Sequence, residues 1–329
     1  MPACLFFNIQ HVSIMSHVNL KLNGYILSAA ILFGIIHYWI IPIPGTYQWI
    51  FCGITLLLTG VPHGALDHLV AKKNCDLSSR NFSSLAFYLK YFAKMTLFGI
   101  CWYLFPAASM LIFLFLSAFH FGETDLPIKE STCLLKPFML QTSYGLFLLA
   151  VMIVVHQSEI LPLISQLAGV DTAFLGRILS SGRSRLLMVA LPLLVLLVVG
   201  TYFVIRQQPS LTWIMAVLFQ TFTILAMLVL LPLPLAFAFY FGCWHSLNSL
   251  SSIRAHLSDS MGQRITWKWM IQQLLPYSVL AIAGIVILIV LVFNTGYIQF
   301  PLLAGFIGLA LLTAPHLEVM SEMYKMMRK

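Results

Sequence analysis

The sequence predicts an all-α fold, a polytopic transmembrane bundle of about ten spanning helices, and three observations carry that prediction. Of 329 residues, 60% are hydrophobic and only 9% are charged, whereas a soluble domain carries about 25% charged residues. The mean hydropathy is +0.93, and apolar runs of the roughly 20 residues needed to cross a bilayer recur along the chain. The cations sit in short links between those runs rather than in one block. The net charge of +8 therefore reads as a topology signal, and nucleic acid is not expected as a partner.

In chain order, the runs end near Ile43, Val70, Leu104, Thr124, His156, Ile205, Leu231, Ser249, Phe293 and His316. Residues 1–24 are read as an N-terminal cytoplasmic segment and 25–329 as a single transmembrane helical domain. The opening segment lacks a basic start, an apolar stretch and a small-residue cleavage site, so no cleaved signal peptide is expected. Phe105-Pro106 and the LPLPL at 231–235 mark tight breaks between neighbouring spans, since proline lacks a backbone N–H and ends helices. Residues 158–183 are too polar to span and read as an interfacial amphipathic segment. The six cysteines show no CxxC spacing, which supports neither a disulfide framework nor a thiolate metal site.

Orientation follows from the positive-inside bias. A cytoplasmic N-terminus puts the links near Lys72, Lys129, Arg254 and Lys325 in the cytoplasm, together with Lys136, Arg264 and Lys329. Both termini are then cytoplasmic, in a multi-pass protein of the cell (inner) membrane. Arg177, Arg183 and Arg185 are exceptions, assigned to the interfacial segment.

Four histidines share one depth. From His63 to Lys72, His120 to Lys129, His245 to Arg254 and His316 to Lys325, the spacing is nine residues each time. All four lie on spans that run outward to inward, so each imidazole sits roughly 13 Å before its basic anchor at 1.5 Å per residue. Spans often end in cations at similar distances, but that does not explain a histidine at the same level four times. Intramembrane ionisable residues are expensive and usually face a bundle interior, so a shared metal site is the favoured reading. Imidazole suits iron, zinc, copper or nickel, and the donor type alone does not choose among them. Helical spacing suggests that Asp67 supports His63 and that Glu123 holds the other ring nitrogen of His120. His68 is a weaker candidate, because five residues from His63 is about 140° around a helix unless Gly60, Pro62 and Gly64 distort it. His37 and His156 fall near the outer face. Aromatic residues flank the candidates in FLFLSAFHFGETD (113–125) and AFAFYFGCWHSLNSL (236–250), which suggests an apolar substrate passage.

Taken in order, GVPHGALDH, FHFGETD, FGCWHSLNS and LTAPHLEVM resemble the four signatures of the Brp/Blh family of membrane-embedded β-carotene 15,15'-dioxygenases, over most of the chain. The resemblance implies cleavage of β-carotene by O₂ at its central double bond, giving two all-trans-retinal, at a non-haem Fe(2+) held by histidines. It implies ligands at His63, His120 and His245, and entry of the substrate from the lipid bilayer. Retinal would then be available for hand-over to a rhodopsin. The family's fourth histidine falls where this chain has Ser249, so another group, water or an altered activity must account for the position. His316 is the preferred substitute, because the depth argument selects it independently. Two other readings stand beside this one: a bis-histidine haem protein, and a metal or proton transporter. The HxxxH and HxxHH boxes of di-iron membrane hydroxylases are absent.

Overall fold

The computed structural model describes residues 10–126, 128, 137–258, 265–294 and 301–328. Lys129, Lys136, Arg264 and Lys329, used above for orientation, lie outside the described residues. No strand occurs among the described residues. The first half of the chain forms α1 (Gln10–Ile35), α2 (Gly45–Thr55), α3 (Val61–Gly64), α4 (Asp67–Leu77), α5 (Ser84–Leu104), α6 (Pro106–Asp125) and α7 (Pro137–Val155). Then come α8 (Gln157–Ala168), α9 (Thr172–Ser180), α10 (Gly182–Gln207), α11 (Leu211–Leu230), α12 (Leu233–Phe237), α13 (Ser246–Ser258), α14 (Trp267–Asn294) and α15 (Pro301–Arg328). Three π-helical stretches interrupt them, at Ile36–Ile40, Leu56–Gly60 and Ala238–His245.

Helix ends follow the local sequence. Pro106 opens α6 at its first turn, where the missing N–H would have had no intrahelical partner. The Ser210 hydroxyl accepts from Trp213 N at 3.2 Å, capping α11. Gly169, at φ 62°, ends α8 in the left-handed region, which glycine adopts without a Cβ penalty. Residues 158–183, read as interfacial, form the short helices α8 and α9 and the start of α10. Position 24, the expected end of an N-terminal segment, lies within α1, which continues through it.

Eight helices among the described residues are long and apolar enough to span a membrane. Two of the ten expected spans, α5 and the continuous 233–258 stretch, are helical but are not among the eight. Their sequences explain why: α5 carries Lys90 and Lys94, and the 233–258 stretch carries His245, Ser246, Asn248 and Ser249. These polar residues dilute the apolar run because the helices bear charge pairs or site residues. Lys94 pairs with Glu318 of α15, and Arg80 Nη2 lies 3.6 Å from Glu322 Oε1.

The bundle is organised around α7, most of which is buried. The α6–α7 approach depends on two glycines. A Cβ at Gly122 would collide with the backbone carbonyl of Gln141, and one at Gly145 with the carbonyl of Ala118. The two backbones therefore meet directly, a packing that small residues permit within membranes. α15 packs against α4, α5, α6 and α14, which brings its His316 level with the histidine of α6.

Candidate metal centre

Local distortions carry the site residues inward. The π-helical turn at Leu56–Gly60 precedes His63 on α3, and the π-helical stretch at Ala238–His245 ends on His245. Such stretches rotate the residues after them relative to an α-helix, and they are frequent at functional sites. The two are joined: Thr59 Oγ1 lies 2.7 Å from Thr55 O and 2.6 Å from Gly242 O. Gly242 allows this approach, because a Cβ there would strike the Thr55 side chain. On the far side, Tyr240 OH donates to Asp125 Oδ2 at 3.0 Å, and Gln220 Nε2 donates to Asp125 O at 2.7 Å. Asp125 thus ties the end of α6 to the π-helical stretch that bears His245.

The four histidines of common depth come together. His63, His120, His245 and His316 are 6%, 2%, 0% and 4% exposed, far more buried than an isolated ionisable group tolerates. Ring centroids lie 4.7 Å apart for His120 and His245, 4.8 Å for His63 and His316, 5.2 Å for His120 and His316, and 5.5 Å for His63 and His245. Candidate ligand atoms of His63, His120 and His245 all fall within 4.8 Å of one another. His316 stands beside that trio but is not one of the three.

The donor chemistry fits a cation. His120 Nε2 and His245 Nε2 are 3.1 Å apart, close to the roughly 3.0–3.4 Å expected for two nitrogens bound to one ion at about 2.1 Å with angles of 90–110°. Each of the four rings has a buried nitrogen without a hydrogen-bond partner: Nδ1 of His63, His120 and His245, and Nε2 of His316. Imidazoles crowded this way leave polar atoms unsatisfied at about 1–3 kcal/mol each. An ion between His120 and His245 would be held by their facing Nε2 atoms and would leave each Nδ1 as it is, whereas Nε2 of His316 is an orphan that an ion could take up.

The carboxylates do not act as their spacing suggests. Asp67 does not support His63. Its Oδ1 lies 2.8 Å from Nδ1 of His316, and its Oδ2 accepts from Tyr91 OH at 2.9 Å. The helix breaks at Ala65 and Leu66, between α3 and α4, so the face shared by residues four apart is lost at this point. The outcome is a carboxylate–histidine pair that fixes Nδ1 of His316 and leaves its buried Nε2 free of protein partners, as in many metal sites. Glu123 does not hold His120 either: the Nδ1 of His120 has no partner, and Ser321 Oγ donates to Glu123 Oε1 at 3.4 Å.

Other sequence candidates are set apart from the cluster. His68 packs against Tyr277, ring centroids 4.2 Å apart. His37 Nδ1 accepts from Ile43 N at 3.0 Å, and His156 Nε2 lies 2.8 Å from Leu228 O. Ser249 is fully buried, and its hydroxyl has no partner. Tyr91, Thr59 and the glycine pair 122/145 were not legible as site residues, because their partners lie far off in sequence.

The cluster faces an apolar cavity of about 820 Å³, lined by His63, His120 and His316 with Phe113, Phe121, Phe241 and Leu312 among others. Phe241 stacks on His245, with centroids 5.6 Å apart and planes 13° from parallel. A second apolar cavity of about 390 Å³ adjoins it, sharing Val61, Leu114, Phe237 and Phe306. Both lie within the size range of ligand pockets. Their largely apolar lining suits a large hydrocarbon.

A family model described as beta-carotene 15,15'-dioxygenase matches residues 54–324, a span that includes all four histidines. Over 82 residues the chain is 35% identical to a protein named beta-carotene 15,15'-dioxygenase from an uncultured marine bacterium, 66A03. That match covers 25% of this chain and 30% of the relative, so it spans less than a third of the relative's length. No solved structure matches the chain.

Proposed function

The chain belongs to the β-carotene 15,15'-dioxygenase family, and on that premise we propose that it cleaves β-carotene with O₂ at the central 15,15' double bond to give two all-trans-retinal. The observation that carries this reading is the set of buried histidines at the wall of a large apolar cavity. In this reading His63, His120 and His245 hold Fe(2+), and His316, oriented by Asp67, supplies the fourth nitrogen in place of the family histidine that Ser249 replaces. Iron, when bound, supplies the redox chemistry that lets O₂ react with a carbon–carbon double bond. The rest falls to the protein. Phe121 and Phe241 wall the histidines and keep water from them, while the cavity aligns the polyene so that its middle lies at the histidine level. Such positioning is worth much of a barrier. No side-chain general acid or base is required, because both atoms of O₂ end in the two aldehydes. Asp67 and Asp125 act by holding histidines, Asp67 directly and Asp125 through Tyr240.

The same reading places the protein in the cell (inner) membrane with both termini cytoplasmic, taking β-carotene from the bilayer and releasing retinal where a rhodopsin could receive it. The test is expression in bacteria that accumulate β-carotene, with chromatography of the pigments. Bleaching with retinal as the product supports the reading. Unchanged β-carotene in cells that contain the folded, iron-loaded protein removes it.

A further inference from the structure

The cavity has a side. α5 and α14 each pack against α15 but not substantially against one another, which leaves a cleft with α15 at its back. The cavity fills that cleft: Phe92 and Met95 of α5 line one edge, Leu280 and Gly284 of α14 the other, and Leu312 and His316 of α15 the rear. Phe92 is 54% and Leu280 64% exposed. One continuous lining therefore runs from the outside of the protein to the buried histidines.

The position of the cleft decides what can use it. Gly284 is exposed, lines the cavity, and has no heavy atom within 4 Å of where a Cβ would stand. It also lies between the ends of the candidate span Trp267–Asn294, well inside both, so hydrocarbon rather than water stands outside it. Towards the start of α14, the cavity lining changes to rings with polar atoms. Tyr277 lies 4.2 Å from His68 and stacks on Tyr88 at 6.4 Å between centroids. These rings bridge α4, α5 and α14 at that end, so the clear opening is sideways.

We propose that the cleft between α5 and α14, with Gly284 at its threshold, is the lateral entrance through which a long apolar chain molecule passes from the bilayer to the histidines. The proposal rests on the carotenoid-cleaving reading for the identity of that molecule. A route through hydrocarbon spares the substrate any transfer through water, which a molecule with no polar group strongly disfavours. The Gly284 side of the cleft is wide because no side chain stands there.

The experiment compares wild type, Gly284→Trp and Ile287→Trp in β-carotene-containing vesicles. Ile287 is 59% exposed on the same helix and is not among the cavity-lining residues. Three quantities are read: the rate of β-carotene loss, the bound iron, and the β-carotene retained by protein freed of iron. The indole at 284 should lower both the rate and the β-carotene retained after one fixed short exposure by about tenfold or more with iron unchanged, as expected for an obstructed access step, whereas Ile287→Trp should match wild type. Gly284→Trp matching wild type in both overturns the entrance and leaves the proposed function standing. Wild type that retains β-carotene without cleaving it overturns the proposed function, and the entrance is then judged on retention alone. Wild type that does neither overturns both. Should Gly284→Trp not accumulate as folded protein, Phe92→Ala decides, because widening the opposite edge should raise the β-carotene taken up by iron-free protein in the same short exposure; an unchanged uptake overturns the entrance.

Discussion

α6 and α10 both pack against α7, and they could hardly differ more. The apolar window of α6 is 50% buried, that of α10 only 6%. α10 is almost featureless in chemistry through its middle, LLMVALPLLVLLVVG, whereas α6 carries Ser117, His120, Gly122, Glu123 and Asp125 in its second half. The contact to α7 differs too. At Gly122 the backbones meet, while at Gly200 of α10 an added Cβ would make ordinary contact with Leu140 at 3.7 Å. Between these two helices, the more apolar one is the more exposed, and the polar residues gather on the buried one, as expected when ionisable groups face a bundle interior. The candidate site draws on α6 and leaves α10 untouched.

That contrast can be broken by substitution. The largest effect is expected on the site side: His63→Ala, His120→Ala and His245→Ala should each abolish retinal formation and strip bound iron, while Leu194→Ala on the lipid-exposed face of α10 should leave both unchanged. The loss should exceed the roughly 10–100-fold that follows removal of a supporting partner. Metal analysis and product chromatography on each variant check this; near-normal iron and turnover in any one would remove that histidine from the ligand set.

Asp67→Asn comes next. It weakens the hold on Nδ1 of His316 without removing an imidazole, so iron affinity should fall by about 10–100-fold, read by competition with a chelator. His316→Ala should be at least as damaging, and adding Ser249→His should restore part of the iron lost, because an imidazole four residues after His245 would point the same way. A silent His316→Ala would leave three histidines as the ligand set.

Packing against α7 gives a stability comparison. Gly122→Ala forces the α6 and α7 backbones apart and should cost about 1–3 kcal/mol, whereas Gly200→Ala should be neutral or stabilise by up to about 1 kcal/mol, since alanine favours the helix. Thermal unfolding in one detergent compares them directly. The smallest effect on the metal should come from His156→Ala: iron should stay in place, with about 1 kcal/mol lost for the hydrogen bond to Leu228 O.

The sequence revealed the helical class and the histidine layer because both follow rules with a period: about twenty apolar residues per span, and one depth per anchor. Equal depth on four helices brought His63, His120, His245 and His316 together without any knowledge of which helices neighbour which. Contacts across helices were not legible in this way. The spacing rule assigned Asp67 to His63, and the break at Ala65–Leu66 delivered it to His316 instead. Likewise Tyr91 reaches Asp67 from 24 residues away, which no local pattern encodes. Two of the expected spans, α5 and the 233–258 stretch, are helical but less apolar than the other eight, because charge pairs and site residues interrupt them.

If the clustered histidines hold an iron that the protein uses on a carotenoid in its cavity, activity must follow the metal. The most direct measurement is retinal formation by the purified protein before chelation, after it, and after re-addition of Fe(2+) or Zn(2+). Two all-trans-retinal should form per β-carotene consumed, with loss of product on chelation and recovery with Fe(2+) alone. Retinal formation that persists after bound iron has been removed, or that returns equally with Zn(2+), would rule out a histidine-held iron as the working metal.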